Sequence, residues 1–236
     1  MLVERGLAES REKARALILA GQVHAGGRRV DKPGILVPGD AELEVRGGLP
    51  FVGRGGVKLA GALDALRLDV RGALALDAGA STGGFCDCLL QRGARGVYAV
   101  DVGYGQLAWK IRSDPRVTVM DRTNLRHLRP EALPERPDLV TLDLAFISLR
   151  TVLPAVRQLL APGGRVLALV KPQFEVGKGR VGKGGVVRDE GLQRESVAAV
   201  LEAARALSFS EGGSVESPIR GEAGNREFFV LLQGPA

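Results

Sequence analysis

Cysteine, histidine and aromatic residues are all scarce in this chain: of 236 residues, two are cysteine, two histidine, one tryptophan and two tyrosine. Cys86 and Cys88 stand two apart in one helical stretch, too close and badly aimed to bridge each other. That excludes a disulfide framework and suits packing residues in a reducing compartment. His24 and His127 lie far apart with no ligand-like spacing around them, so neither a zinc site nor a metal requirement is expected. No run approaches the roughly eighteen unbroken apolar residues of a membrane helix. The amino terminus lacks a basic-then-apolar signal pattern, and the expected location is the cytoplasm.

The chain does have apolar material: 45% of its residues are hydrophobic and 25% charged, enough for one sizeable core plus a small appended module. A net charge of +6 and a pI near 9.7 suit a polyanionic partner, although solubility alone makes many proteins basic.

Ser10 is placed to cap a helix running from Arg11 to Ala20, which Gly21 ends. Ala14, Leu17 and Ile18 recur at helical spacing, leaving Arg11 and Arg15 on another face. Val23, the turn Ala25-Gly26-Gly27, Arg28-Arg29 and the alternating Ala41 to Val45 read as short hairpin strands. By composition this is a solvated basic helix on a small domain. The order Ser10-Arg11-Glu12-Lys13-Ala14, Gly21-Gln22-Val23 and Val30-Asp31-Lys32-Pro33-Gly34, however, resembles the RNA-binding domain named after small-subunit ribosomal protein S-four. The resemblance implies that Arg11, Lys13, Arg15 and Arg28 meet phosphates of structured RNA. That family carries several more residues, often basic, ahead of the point where this chain begins, which implies a short amino-terminal part.

Gly47, Gly48, Pro50, Gly53, Gly55 and Gly56 resist both helix and strand and mark a boundary. The expected division is 1–47, a linker at 48–56, and a second domain at 57–236. From Ala73 onward short apolar runs alternate with helical stretches: Ala73 to Leu76, Gly96 to Val100, Val117 to Met120, Leu139 to Leu142 and Arg165 to Val170. A helix at Val197 to Leu207 and a late strand at Phe228 to Leu232 follow. This alternation predicts an α/β doubly wound sheet.

Asp77-Ala78-Gly79-Ala80-Ser81-Thr82-Gly83-Gly84-Phe85 follows the first of these strands and opens a helix, a turn where the backbone can approach a nucleoside ligand. A carboxylate at that strand end would repel a pyrophosphate but suits the cationic S-adenosylmethionine, which is preferred here over NAD. Asp101 ends the next strand at the spacing from which an acidic side chain meets ribose hydroxyls. Asp121 and Asp143 end later strands, so the four aspartates are expected to line one crevice, a helix cap or turn role being the alternative for any one of them.

With Asp101-Val102-Gly103-Tyr104-Gly105-Gln106-Leu107-Ala108-Trp109-Lys110, Val170-Lys171-Pro172-Gln173-Phe174-Glu175, Arg54-Gly55-Gly56-Val57-Lys58-Leu59, Val181 to Asp189 and Gly224-Asn225-Arg226-Glu227-Phe228 added, the chain resembles the TlyA family over nearly its whole length. The resemblance implies a Rossmann-like class I methyltransferase with a mostly parallel seven-stranded sheet behind a small α+β RNA-binding domain. It implies 2′-O-methylation of cytidine in ribosomal RNA, with 23S RNA as target and 16S RNA left open. S-adenosylmethionine is the implied cofactor, ribosomal RNA or ribosomal subunits the partner, and a membrane is not one. The implied donor contacts are Asp77, Gly79, Ala80, Ser81, Thr82, Gly83, Phe85, Asp101, Asp121 and Asp143. A catalytic lysine-aspartate-lysine-glutamate set falls on Lys58, Asp143, Lys171 and Glu227. Leu144-Ala145 and Asp121 depart from the family's usual isoleucine-serine and glutamate.

Such a set suits the reaction, because a ribose hydroxyl must lose its proton as it attacks the methyl carbon. A second ammonium beside Lys171 favours a neutral, proton-accepting lysine, whereas neighbouring carboxylates favour the protonated one, and both influences stand open. The glycine-rich stretch from Glu175 to Arg188 carries Lys178, Arg180, Lys183 and Arg188, either an RNA-gripping flap or a solvated loop. Competing readings are a non-catalytic RNA-binding protein that keeps the fold, a membrane-active hemolysin and an NAD-dependent oxidoreductase.

Overall fold

The computed structural model describes residues 1–19, 21–30, 32–45, 50–177 and 179–236, which form two compact units, Met1–Pro50 and Phe51–Ala236. Ala20, Asp31, Gly47, Gly48 and Lys178 of the sequence motifs lie outside the described residues.

In the first unit Ser10 caps helix α1 (Arg11–Leu19) as expected: its hydroxyl accepts the Lys13 N–H at 3.1 Å. Gly21, at φ +68°, donates its N–H to the Ile18 carbonyl and ends the turn. Ala14 is buried, while Arg11, Lys13 and Arg15 are exposed. Strands β1 (Val23–Ala25) and β2 (Arg28–Val30) form a hairpin through Gly26 and Gly27. Both glycines have positive φ, +53° and +77°, which a two-residue hairpin turn of this hand requires. Strand β3 (Leu43–Val45) pairs antiparallel on the other edge of β1, and Leu2, Ala14, Val23 and Val30 form the small core.

The second unit includes helix α2 (Arg54–Ala65), whose first three residues are the last three of the stretch 48–56 expected as a linker. The glycines there serve close packing instead. A side chain at Gly56 would sit 2.3 Å from the Phe51 ring, and one at Gly84 would sit 2.9 Å from the Gly56 nitrogen. Packing offsets the cost of about 1 kcal/mol that each glycine adds to a helix.

The remaining elements alternate as read from the apolar runs. They are β4 (Leu74–Ala78), α3 (Gly84–Gln91), β5 (Gly96–Val100), α4 (Trp109–Arg112), β6 (Val117–Met120), β7 (Leu139–Leu142) and α5 (Leu149–Leu159). Then come β8 (Arg165–Val170), α6 (Pro172–Glu175), α7 (Glu190–Ala206), β9 (Ser210–Glu216) and β10 (Phe228–Gln233). The sheet order is β6-β5-β4-β7-β8-β10-β9, with β10 antiparallel to both of its neighbours and the β6-to-β8 pairs parallel. Strand β9 is the one the sequence pattern conceals: Ser-Glu-Gly-Gly-Ser-Val-Glu has a single large apolar residue, and its backbone pairing to β10 makes it an edge strand.

Alternate residues of the central strands feed two cores. Leu76, Val140 and Ala168 face α5 and α7, whereas Ala75, Leu139, Leu167 and Phe229 pack with Leu59 and Leu63 of α2 and Leu89 of α3. Phe229 has no exposed surface and its ring centroid lies 6.1 Å from that of Phe85. Phe229→Ala is expected to lower the unfolding free energy by about 3–5 kcal/mol in urea titrations; a loss below about 1 kcal/mol would contradict this packing.

Candidate active site

Three neighbouring strands of the second unit place charged residues at one end of the sheet. Leu142 pairs with Ala168 across β7 and β8, and Phe228 pairs with Val170 across β10 and β8. Asp143 and Lys171, each just past its strand, therefore lie at the same end of the sheet as Glu227, just before the antiparallel β10. Lys171 Nζ lies 2.6 Å from Asp143 Oδ1. Lys58, on the second turn of α2, lies 2.7 Å from Glu227 Oε2, and their side chains are 11% and 3% exposed. The first turn of α2 also abuts Asp143, since a side chain at Gly55 would stand 3.8 Å from Asp143 Oδ2. The four predicted catalytic residues are thus gathered, but as two ion pairs. Each ammonium faces a carboxylate, where the sequence reading had allowed the two lysines to act on each other.

Next to these pairs, β4 runs into the glycine turn. Gly79 and Gly83 adopt φ +84° and +92°, and Ser81 follows suit at +46°. The turn passes so close to the end of β7 that a side chain on Gly79 would meet the Asp143 carbonyl oxygen at 2.4 Å. Asp101 braces it: one carboxylate oxygen accepts the Ser81 N–H at 2.8 Å and the other the Gly103 N–H at 2.7 Å. Each oxygen keeps a further lone pair for a hydroxyl. Ser81 and Thr82 are exposed, while Ala80 and Gly83 are buried.

Three predicted donor contacts are placed otherwise. Asp77 has no exposed surface; its carboxylate accepts the Thr141 hydroxyl at 3.0 Å and the Cys86 thiol at 3.1 Å. It lies one residue inside the strand end, so it points between β7 and α3 and not into the crevice. Phe85 is buried against Phe229 and beneath Gly55 and serves the core. Asp121 does reach the rim, but it is held by the Arg112 guanidinium and, at 3.3 Å, by the Gly105 N–H. The hydrogen bond from Arg112 holds its carboxyl below the ordinary range.

Of the predicted RNA contacts in this unit, Arg180 is bound bidentately by Glu195 at 2.5 and 2.6 Å, whereas Lys183 and Arg188 are exposed. The far end of their loop is tied down by Asn225, which the sequence reading passed over. Its buried amide accepts the Val187 N–H at 2.9 Å and donates to the Gly185 carbonyl at 2.9 Å. Phe146 was also missed. It follows Asp143 by three residues, is 92% exposed, and has a left-handed φ of +63°. In a chain with 4% aromatic residues, a phenylalanine three residues after Asp143 was the available signal.

A model of FtsJ-like methyltransferases matches residues 51–234, and a model of the S4 domain matches residues 1–43. The 16S/23S rRNA (cytidine-2′-O)-methyltransferase TlyA of Mycobacterium tuberculosis is 51% identical over 234 residues, 98% of this chain and 87% of the relative. The chain belongs to the TlyA family of FtsJ-like methyltransferases. Hemolysin A of Brachyspira hyodysenteriae, 37% identical over 226 residues, covers 95% of the chain and 94% of its own length. A solved structure of a hemolysin-named protein from Streptococcus thermophilus superposes with a TM-score of 0.80 at 42% identity, covering 99% of this chain and 86% of that one. Family and fold thus agree with the motif reading. Among the described residues of this TlyA-family chain no helix is long and apolar enough to cross a membrane.

Burial pushes the Asp77 carboxyl from its ordinary 3.8 up to about 7, opposed by the Cys86 and Thr141 hydrogen bonds. A folded-state value raised above the unfolded one means that the folded chain holds the proton more tightly. The stabilisation is complete below about pH 4 and is lost as pH rises to about 7, by a total on the order of 4 kcal/mol. Asp77→Asn is expected to flatten this part of the stability profile in chemical denaturation between about pH 4 and 7, the window set by the shift just given. An unchanged profile would show that Asp77 is not the group responsible.

Proposed function

We propose that this chain transfers a methyl group from S-adenosylmethionine to the ribose 2′-hydroxyl of cytidine in ribosomal RNA, the reaction that the mycobacterial relative's name states for 16S and 23S RNA. The observation that carries the reading is that the Lys171–Asp143 and Lys58–Glu227 pairs lie at one end of the sheet, with Asp143 against both α2 and the glycine turn. The turn fits the donor: Ser81 and Thr82 are exposed on it, and Asp101 has lone pairs left for ribose hydroxyls. S-adenosylmethionine, when bound, supplies a methyl carbon made electrophilic by its positively charged sulfur.

The protein's own residues do the rest. Lys171, once its ammonium has given up a proton to solvent, takes the hydroxyl proton at Nζ, and Asp143, 2.6 Å away, holds that nitrogen in place. Lys58, aimed by the buried Glu227, sets positive charge beside the oxygen as it becomes negative. Phe146 offers an exposed ring on which a base can stack, and Lys183 and Arg188 offer charge to phosphates. In the amino-terminal unit the exposed Arg11, Lys13, Arg15 and Arg28 suit contacts to folded RNA. An enzyme with this substrate works in the cytoplasm, where ribosomes are made.

Incubating ribosomal subunits with labelled donor and mapping 2′-O-methyl positions tests the proposal. Lys171→Met should bind donor as the unaltered protein does yet transfer methyl at least about 100-fold more slowly. Transfer at the original rate would remove Lys171 from the role of base. The absence of label from every ribosomal RNA would overturn the activity itself.

A further inference from the structure

Glu175 is a buried carboxylate that the chemistry above does not use. It ends α6, four residues after Lys171, and its side chain is 1% exposed. Its two oxygens reach across to the chain that leaves Asp143. One accepts the Ser148 hydroxyl at 2.6 Å and the other the Leu149 N–H at 2.7 Å, the first amide of α5. Arg150 closes the arrangement, with Nε 3.5 Å from the carboxylate and Nη2 donating to the Glu175 carbonyl at 3.1 Å. An anion at a helix start, bonded to its free amide, is favourable in both charge and geometry.

The consequence is a closed ring. Lys171 and Asp143 meet at the ends of adjacent strands, and Glu175 joins their chains again one loop further on. The span between the two ties is Leu144 to Ile147, with Phe146 at its exposed tip and its ring 5.3 Å from that of Phe174, the neighbour of Glu175. A left-handed non-glycine residue at φ +63° persists where its surroundings hold it. The donor turn is held separately by Asp101, and it approaches the loop only where Gly79 packs against the Asp143 carbonyl and the Leu144 side chain.

We infer that Glu175 is a positioning residue for the RNA-facing side of the site: through Ser148 and Leu149 it sets the 144–147 loop against the Lys171–Asp143 pair. The inference rests on the methyl-transfer reading. It separates the two halves of the site, since loss of Glu175 disturbs the acceptor side and leaves the donor side intact.

The test compares Glu175→Ala, Glu175→Gln and Ser148→Ala for donor binding by calorimetry, for kcat and RNA KM on ribosomal subunits, and for amide hydrogen exchange. Glu175→Ala should keep donor affinity within about twofold while kcat/KM for RNA falls at least about tenfold, as expected when a reacting group is misplaced by a fraction of an ångström. Glu175→Gln, which keeps one acceptor oxygen for Leu149, should recover most of the loss, and Ser148→Ala should fall between the two. Exchange should quicken at 144–150 in Glu175→Ala and stay unchanged in β4 and β5. If Glu175→Ala does not fold, the Gln and Ser148→Ala variants carry the comparison. Unchanged kcat/KM would overturn the inference, as would donor affinity and activity falling together without recovery in Glu175→Gln. Should the unaltered protein methylate no RNA, the activity proposal fails, while the exchange pattern still decides whether Glu175 holds the loop.

Discussion

Lys58 and Glu227 are 169 residues apart in sequence and 2.7 Å apart in space, almost wholly removed from water. Taking two such charges out of solvent is costly, and their attraction compensates only when the geometry is good. Removing one partner alone would leave an uncompensated buried charge, at a cost of about 3–5 kcal/mol. The pair therefore constrains where α2 can lie. With the helix fixed there, Gly55 comes against both Phe85 and Asp143, and Gly56 against Phe51 and the start of α3. The glycines that look like a linker in the sequence are what allow this close approach. An ion pair and a patch of missing side chains together seat one helix over both the donor turn and the Lys171–Asp143 pair.

The aspartates at the strand ends show how finely position decides chemistry. Asp77, one residue inside β4, is sealed between Thr141 and Cys86 and holds its proton up to about pH 7. Asp101, one residue beyond β5, turns outward, fastens two backbone amides and remains open to further donors. Asp143, one residue beyond β7, meets an ammonium. Ala78 pairs with Val100 and Leu142, so Asp101 and Asp143 stand two positions further along than Asp77, on the same side of the pleat but past the end of the ladder, and it is this depth that exchanges interior for crevice. Asp77 is then a strut between β4, β7 and α3, and the case for a methyl donor rests on the family rather than on that carboxylate.

The same division runs through the rim of the site. Several side chains at the rim serve to hold the backbone of others in place. Asp101 braces the donor turn, Asn225 anchors the basic loop, and Glu175 ties the chain leaving Asp143 to the chain leaving Lys171. These supports are polar groups satisfied by backbone amides. They hold irregular segments in place where no regular ladder can.

From the sequence alone, the order of strands and helices and the two-module plan were legible, because apolar runs, capping residues and spaced motifs are local properties of a chain. Ser10 caps its helix, and β5, β6, β7 and β8 fall where their apolar runs lie. Strand β9 was not legible, since a backbone ladder to β10 holds residues with little apolar character of their own. Nor were the burial of Asp77, the capture of Arg180 by Glu195 or the pairing of each lysine with its own carboxylate. Which charge meets which depends on register and on neighbours far away in the chain, and only the folded arrangement decides that.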